Sequence, residues 1–472
     1  MPISTSAMKT SKTRSPSRFA LRDSHSDQDR GATLFSYTSG RWLWNEASQL
    51  LKRYQPFNVQ ELKETAARSV NEKCCVEITK LPEGSYNKTF LLTMDNDMQV
   101  IAKIPNPYIP QKLVTASEVA TLEFLRTELD MSVPRVVAWS STKDQPVGVK
   151  YIIMEKAPGS EFSKCWPAMG VLDKIDIVPQ LAIMQAKIAA VDFGHFGSLF
   201  YREDIDGGIA VPGIDDRFCI GPNCDFRSSF EPHTMDIARR EKEWITRFAN
   251  PRHLADSLRQ SDSQESPDCH IKILDEYRQV VPYLIPSDPG QNQSVLWHSD
   301  LHFGNIFVKG GHIVSIINWR GCSSLPIFHT SRIPKFLKGK EEILRRYYLT
   351  QLQRLYISKF RKADNGVFSA LSELTGQPQS SCPVAFTDDE LASHAAEGKD
   401  WDDRRDLFKA LDIPFDGWVH PEVFEAKVEI MRNLVSLVVD SAEDKDVAKD
   451  ALRAWKLSES GPASLSGNLM DI

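Results

Sequence analysis

From residue 73 onward, a switch in hydrophobic period near residue 156 divides this chain. Before it, apolar and polar residues alternate in short runs: Cys75-Val-Glu-Ile-Thr-Lys-Leu, Thr89-Phe-Leu-Leu-Thr-Met and Gln99-Val-Ile-Ala-Lys-Ile. A period of two is the mark of strands with one buried face. Pro82-Glu-Gly-Ser-Tyr-Asn-Lys and Asp95-Asn-Asp supply the turns, and Arg135–Trp139 and Val149–Glu155 fit two further strands. A helix is expected at Ser117–Leu129, with Val119, Leu122, Leu125 and Leu129 on one face. Five strands and one helix in so short a stretch imply a small antiparallel sheet with a helix packed on it. After Pro158-Gly159 the period becomes 3.6. Helices are expected at Pro179–Val191, His233–Phe248, Ile271–Val281, Glu341–Phe360 and Glu422–Ser441, with surface loops at 257–268 and 376–383. The fold class is therefore α+β, with a small sheet lobe and a larger, mainly helical lobe.

Composition narrows the function classes. Lys plus Arg number 57 against 63 for Asp plus Glu, a formal net charge of −6, so no basic excess exists to gather nucleic-acid phosphates. Eight cysteines in 472 residues are too few for a disulfide scaffold, and no second Cys or His pair follows Cys219 and Cys224 at finger-like spacing. Buried free thiols in a reducing compartment are the reading taken. No apolar run approaches the 18 residues of a membrane span.

The first 22 residues carry Lys9, Lys12, Arg14, Arg18 and Arg22, five serines, three threonines and no acid. That is the composition of a mitochondrial transit peptide. An ordinary unstructured tail, broken by Pro2 and Pro16, in a cytoplasmic protein is the competing reading. Segments 1–34, a disordered leader, and 35–72, a helical extension, precede the sheet lobe at 73–156 and the helical lobe at 157–472.

The densest polar chemistry lies in an island at 295–326, within the helical lobe. It reads Val295-Leu-Trp-His-Ser-Asp-Leu-His-Phe-Gly-Asn-Ile-Phe-Val and continues to Ile316-Ile-Asn-Trp319. Asp300 and Asn305 flank Gly304, so a compact loop can aim both at one place. A carboxylate there can orient or deprotonate an attacking hydroxyl, and an amide oxygen can ligate a hard cation. A rival reading makes His298, Asp300 and His302 transition-metal ligands. The plainest one makes both histidines loop residues bonded to backbone.

His298-x-Asp300-x-x-x-x-Asn305 resembles the catalytic loop of aminoglycoside phosphotransferase-like enzymes, relatives of protein kinases. Tyr37-Thr-Ser-Gly-Arg-Trp-Leu-Trp-Asn45, Lys80-Leu-Pro-Glu-Gly84, Asn87-Lys88, Ile101-Ala-Lys-Ile-Pro-Asn-Pro107, Thr115-Ala-Ser-Glu-Val-Ala-Thr121 and Arg217-Phe-Cys-Ile-Gly-Pro222 extend the likeness to a fungal branch. That branch is similar to the altered inheritance of mitochondria protein 9 family. The resemblance implies a two-lobed kinase-like fold and ATP- and Mg2+-dependent transfer of a phosphoryl group to a hydroxyl of a small-molecule acceptor. It implies that Asp300 is the catalytic base and that Asn305 ligates metal. Lys103 would hold phosphates and pair with Glu118, Gly84 and Asn87 would lie in the nucleotide-covering turn, and Glu155 and Ala157 would meet adenine at the hinge. Thr115-x-x-Glu118 is also capping-box spacing, so Glu118 has a local alternative. The second metal position of the family is an Asp, and here it is Asn318. The departure implies a second function: a pseudokinase, a nucleotide-binding or scaffold module with a protein partner.

Overall fold

A computed structural model of the chain describes residues 33–107, 113–224, 292–327, 334–337, 342–354, 388–414 and 416–441, with scattered positions between 271 and 290. The leader (but for its last two residues), the helix expected at 233–248 and both expected surface loops lie outside the described residues, as does much of the helix expected at 271–281. None of the described helices is long and apolar enough to cross a membrane.

The small lobe is a five-stranded antiparallel sheet. Its strands are β1 (Cys75–Lys80), β2 (Asn87–Met94), β3 (Gln99–Pro105), β4 (Val136–Ser140) and β5 (Tyr151–Glu155), in the order β1-β2-β3-β5-β4. Alternation sorts the two faces. Phe90, Leu92, Met94, Val100, Ala102, Ile104, Tyr151 and Ile153 form one buried cluster with Leu62, Ala66 and Ala67 of helix α1 (Val59–Ser69). The helical extension thus covers the outer face. Ile101, Ile152 and Met154 point the other way, toward Val119 of helix α2 (Val114–Thr127).

Helix α2 begins three residues before the sequence suggests, and most of its residues are buried, including Thr115, Ser117, Glu118 and Thr121. The reason is its position between lobes. Val119 meets the sheet, while Leu122, Phe124 and Leu125 enter the core of the large lobe, where Phe124 has its ring centroid 5.6 Å from both Phe193 and Phe218.

The large lobe departs from expectation in two respects. Helix α3 spans Val171–Ala189, starting eight residues earlier than Pro179, because Asp173 accepts the Gly170 N–H (3.2 Å) and closes its first turn. A three-stranded sheet of Ser198–Tyr201, Ile209–Ala210 and Phe218–Gly221 lies against α2. Strands this short carry too few residues to display a period.

The island itself is embedded in the large-lobe core through Val295, Leu296, Trp297, Leu301, Ile306, Val308, Ile316 and Trp319. Ser294–Leu296 pairs with Ser324–Pro326, and β6 (Ile306–Lys309) and β7 (His312–Ile316) form a hairpin turned by Gly310 and Gly311. Residues 297–305 are thereby held as a loop between two fixed strands.

A strap runs from Tyr37 to Arg53. Arg41–Trp42 pairs antiparallel with Trp418–Val419, and Leu43 joins Ile413, Val419, Phe424 and Met431 in a separate apolar cluster. Among the described residues that cluster takes in none between 45 and 407. The expected helical lobe, 157–472, therefore has a C-terminal part that packs on the N-terminal extension. Tight fits hold the join: a Cβ on Gly40 would meet the Trp418 indole at 2.1 Å.

Candidate functional site

Lys103 lies on the inner face of β3, opposite Thr89 on one side and Ile152 on the other. Its ammonium forms a buried ion pair with Glu118. The capping-box alternative for Glu118 fails because α2 starts at Val114: Leu113 is the cap residue and makes no side-chain bond, and Thr115 is already inside the helix. Burial among apolar side chains requires each charge to have its partner.

The loop carrying Asp300 is fixed by two histidines, and both turn out to bond backbone. His298 is buried; its Nδ1 accepts the Asp300 N–H (3.1 Å), so its proton sits on Nε2 and is donated to the Ile317 carbonyl (3.0 Å). Both ring nitrogens are committed, which removes His298 from any metal sphere. Burial pushes its pKa down to about 4. The acid sensitivity of the fold follows. As pH falls below about 6.5 the unfolded chain gains a proton that the buried ring refuses until about 4, so stability declines across that window. Between pH 7 and pH 5 the expected loss is about 2 kcal/mol, measured as a lower urea midpoint. A His298→Gln chain should lack that share of the pH dependence.

His302 Nδ1 accepts the Gly304 N–H (3.0 Å), and its Nε2 stands 3.7 Å from Asp300 Oδ2. Gly304 has to be glycine, since a Cβ there would sit 2.9 Å from the His302 ring. Asn305 donates from Nδ2 to the Asp300 carbonyl (2.9 Å), and that nitrogen also lies 3.1 Å from His302 Nε2. The amide nitrogen being committed to the loop, the amide oxygen is the end left for a ligand.

Ile317 ties this loop to the next one. Its N–H donates to the Asn305 carbonyl (3.0 Å) while its carbonyl accepts from His298. Asn318 follows directly, at φ 68°, a left-handed conformation that Asn tolerates better than most residues. Trp319 anchors the turn from below, buried and donating from Nε1 to the Ile316 carbonyl (3.1 Å). Arg320 then reaches the small lobe: its guanidinium lies 3.9 Å from the ring centroid of Tyr86, inside the turn Gly84–Asn87. The sequence analysis did not foresee Tyr86 as the partner of Arg320. A contact between residues 86 and 320 has no local signature.

The structure thus ties the loop of Asp300 and Asn305 to the one that carries Asn318 and Arg320, of which Arg320 touches the turn of the small lobe, and sets the Lys103–Glu118 pair on the sheet's inner face. Among the described residues a Cβ on Gly84 would meet nothing within 4 Å, and Asn87 starts β2 beside Pro105. The hinge is narrowed by its own hydrogen bonds. The Glu155 N–H donates to the Arg135 carbonyl (2.9 Å) and its carboxylate pairs with Arg135 (2.9 Å), so of its backbone groups the carbonyl is the one that could meet a base. Ala157, buried, carries no such commitment among the described residues.

A magnesium ion fits this donor set poorly. Such ions take one or two carboxylates together with phosphate oxygens, whereas Asn305 and Asn318 are both neutral amides. Among the described residues no group of three or more His, Cys, Asp or Glu side chains is placed to hold a metal.

The sequence model of the phosphotransferase enzyme family (APH) matches residues 77–328, more than half of the 472 residues. A subtelomeric hrmA-associated cluster protein of Aspergillus fumigatus is 29% identical, covering 78% of this chain and 94% of its own length. The altered inheritance of mitochondria protein 9, mitochondrial, of Yarrowia lipolytica is 21% identical over 86% of this chain and 88% of its own. Among solved structures, the ADP-bound aminoglycoside phosphotransferase APH(2'')-Ib matches at a TM-score of 0.40 and 14% identity, covering 72% of this chain and 96% of that one.

Proposed function

The chain belongs to the phosphotransferase enzyme family, and from that premise we propose that it binds ATP between its lobes and passes the γ-phosphoryl group to a hydroxyl of a small-molecule acceptor. The observation that carries the reading is the buried Lys103–Glu118 pair, which fixes an ammonium on the inner face of the sheet. Lys103 meets phosphate oxygens, the turn Gly84–Asn87 covers them, and the backbone at Ala157 meets adenine. Asp300 receives the proton of the acceptor hydroxyl as the oxygen–phosphorus bond forms. The bond from Pγ to the bridging oxygen breaks, and ADP departs with that electron pair. Catalysis of this kind is positioning and charge stabilisation rather than covalent chemistry by the protein.

Asp300→Asn tests the assignment. Slow release of ADP from ATP should fall about 10²-fold or more, the typical worth of a positioned acid–base group, while ATP affinity stays within about twofold. Equal turnover in both chains removes Asp300 from the chemistry.

A second reading, a binding module without transfer, is favoured by Asn318, whose neutral amide stands where the family's second metal position carries a carboxylate. Its partner would be another protein rather than an acceptor.

The relatives named as mitochondrial and the basic, acid-free leader together support a mitochondrial address. Residues 1–35 fused to a fluorescent reporter should direct it to mitochondria. A diffuse cytosolic signal counts against import.

A further inference from the structure

We propose that Ser39 and Thr38, on the strap, are positioning residues for nucleotide: they hold the turn Gly84–Asn87 where it can close on the phosphates of ATP. The inference rests on the nucleotide-binding reading above and adds to it a part of the chain that lies before the matched residues 77–328.

A loop that closes on a ligand gives up conformational freedom, and the cost of binding is smaller when the loop is held beforehand. The turn between β1 and β2 is held from both sides. Its C-terminal half is fixed from the end of β3, where the Asn106 N–H donates to the Tyr86 carbonyl (2.9 Å) and Asn106 Nδ2 to the Ser85 carbonyl (3.2 Å). Asn106 is itself buried, its Oδ1 accepting from Lys88 (3.0 Å). The N-terminal half is fixed from the strap. Ser39 Oγ accepts the Glu83 N–H, and the Thr38 N–H (2.7 Å) and hydroxyl (3.3 Å) both donate to Glu83 Oε2. Glu83 adjoins Gly84, so the tip of the turn lies between the two supports.

The strap can serve as a support because it is fixed in its turn. Tyr37 and Trp42 are buried with their ring centroids 5.0 Å apart, and the Tyr37 hydroxyl accepts from Trp418 Nε1 (3.0 Å). Arg41–Trp42 is paired with Trp418–Val419. Between these two anchors, the consecutive residues Thr38 and Ser39 both turn polar groups to Glu83. Ser39 therefore acts on nucleotide through Glu83 and the turn. Its loss should be felt by the phosphates that the turn covers and spare the adenine end, which meets the hinge.

Isothermal titration of the full chain with ATP and with adenosine, in a buffer containing Mg2+, tests the proposal. Ser39→Ala should weaken ATP binding about three- to tenfold, the scale of one net hydrogen bond, and change adenosine affinity less than about twofold. Amide hydrogen exchange without nucleotide supplies a second measure. Residues 83–87 should exchange faster in Ser39→Ala than in the parent, while β2 and β3 keep their protection. Should Ser39→Ala fail to fold, Thr38→Ala takes its place: it trims an exposed residue and removes one bond to Glu83. The same split between ATP and adenosine is expected there, at about threefold. Equal ATP affinity in variant and parent overturns the inference and leaves the nucleotide reading standing. An equal loss of ATP and adenosine also overturns it, since that marks a general defect of the fold. ATP bound by neither chain overturns both.

Discussion

Asn318→Asp should raise magnesium-dependent release of ADP from ATP by about 10²–10³-fold over the parent chain. One unit charge against another at 4 Å is worth roughly 4 kcal/mol at an effective dielectric of about 20, and each 1.36 kcal/mol is about a factor of ten in rate. Solvation and flexible coordination reduce that ceiling, which places the expectation at its lower end. The backbone favours a clean result. Asn318 holds φ 68°, a region that Asp enters nearly as readily as Asn, so the substitution adds a charge without straining the turn. Steady-state ADP release at saturating Mg2+ measures it. Equal rates in the two chains would mean that the amide does not limit chemistry, and the scaffold reading would lose its motive.

Glu83→Ala should cost about 3–5 kcal/mol of stability, the usual toll of stranding one member of a buried ion pair, and lower the melting temperature by roughly 10 °C. Glu83 is fully enclosed and serves several partners. Its Oε2 accepts the Thr38 N–H (2.7 Å) and faces Lys80 (3.0 Å), and its Oε1 faces the wholly buried Lys88 (3.5 Å). Lys88 also donates to the Arg53 carbonyl and to Asn106 Oδ1 (3.0 Å). Burial already pushes the Lys88 pKa down to about 8 even with Glu83 in place. Without that countercharge the ammonium loses its main compensation and sheds its proton more readily. The sign can be checked. Raising pH from 7 toward 9 neutralises Lys88 and should recover part of the loss, whereas a simple packing defect would cost the same at both. Thermal melts of both chains across that range decide it.

How much could be seen in advance depended on range. The strands of the small lobe were legible because each shows several alternating residues, as Phe90, Leu92 and Met94 do on one face of β2. Asp300 and Asn305 were legible because one loop holds both, and the structure sets them on a single hydrogen-bonded turn. Glu118 was ambiguous because capping and ion pairing share a local spacing, and only the partner on β3 separates them. Which backbone group of Glu155 is open at the hinge was not legible, since its N–H is held by the Arg135 carbonyl, 20 residues away in sequence. The short sheet at Ser198–Gly221 gave no periodic signal, and the pairing of Arg41–Trp42 with Trp418–Val419 could give none, since its halves lie almost the length of the chain apart.

That last pairing bears on the order of assembly. On a ribosome, Tyr37 and Trp42 emerge hundreds of residues before Trp418, to which Tyr37 is hydrogen-bonded (3.0 Å) and beside which Trp42 is paired. Local sheet and helix contacts can form as their segments appear. The corner that Gly40, Leu43 and Phe424 close cannot. During synthesis the nascent small lobe carries a bare indole and an unpaired edge, and both are covered only once translation has passed Trp418.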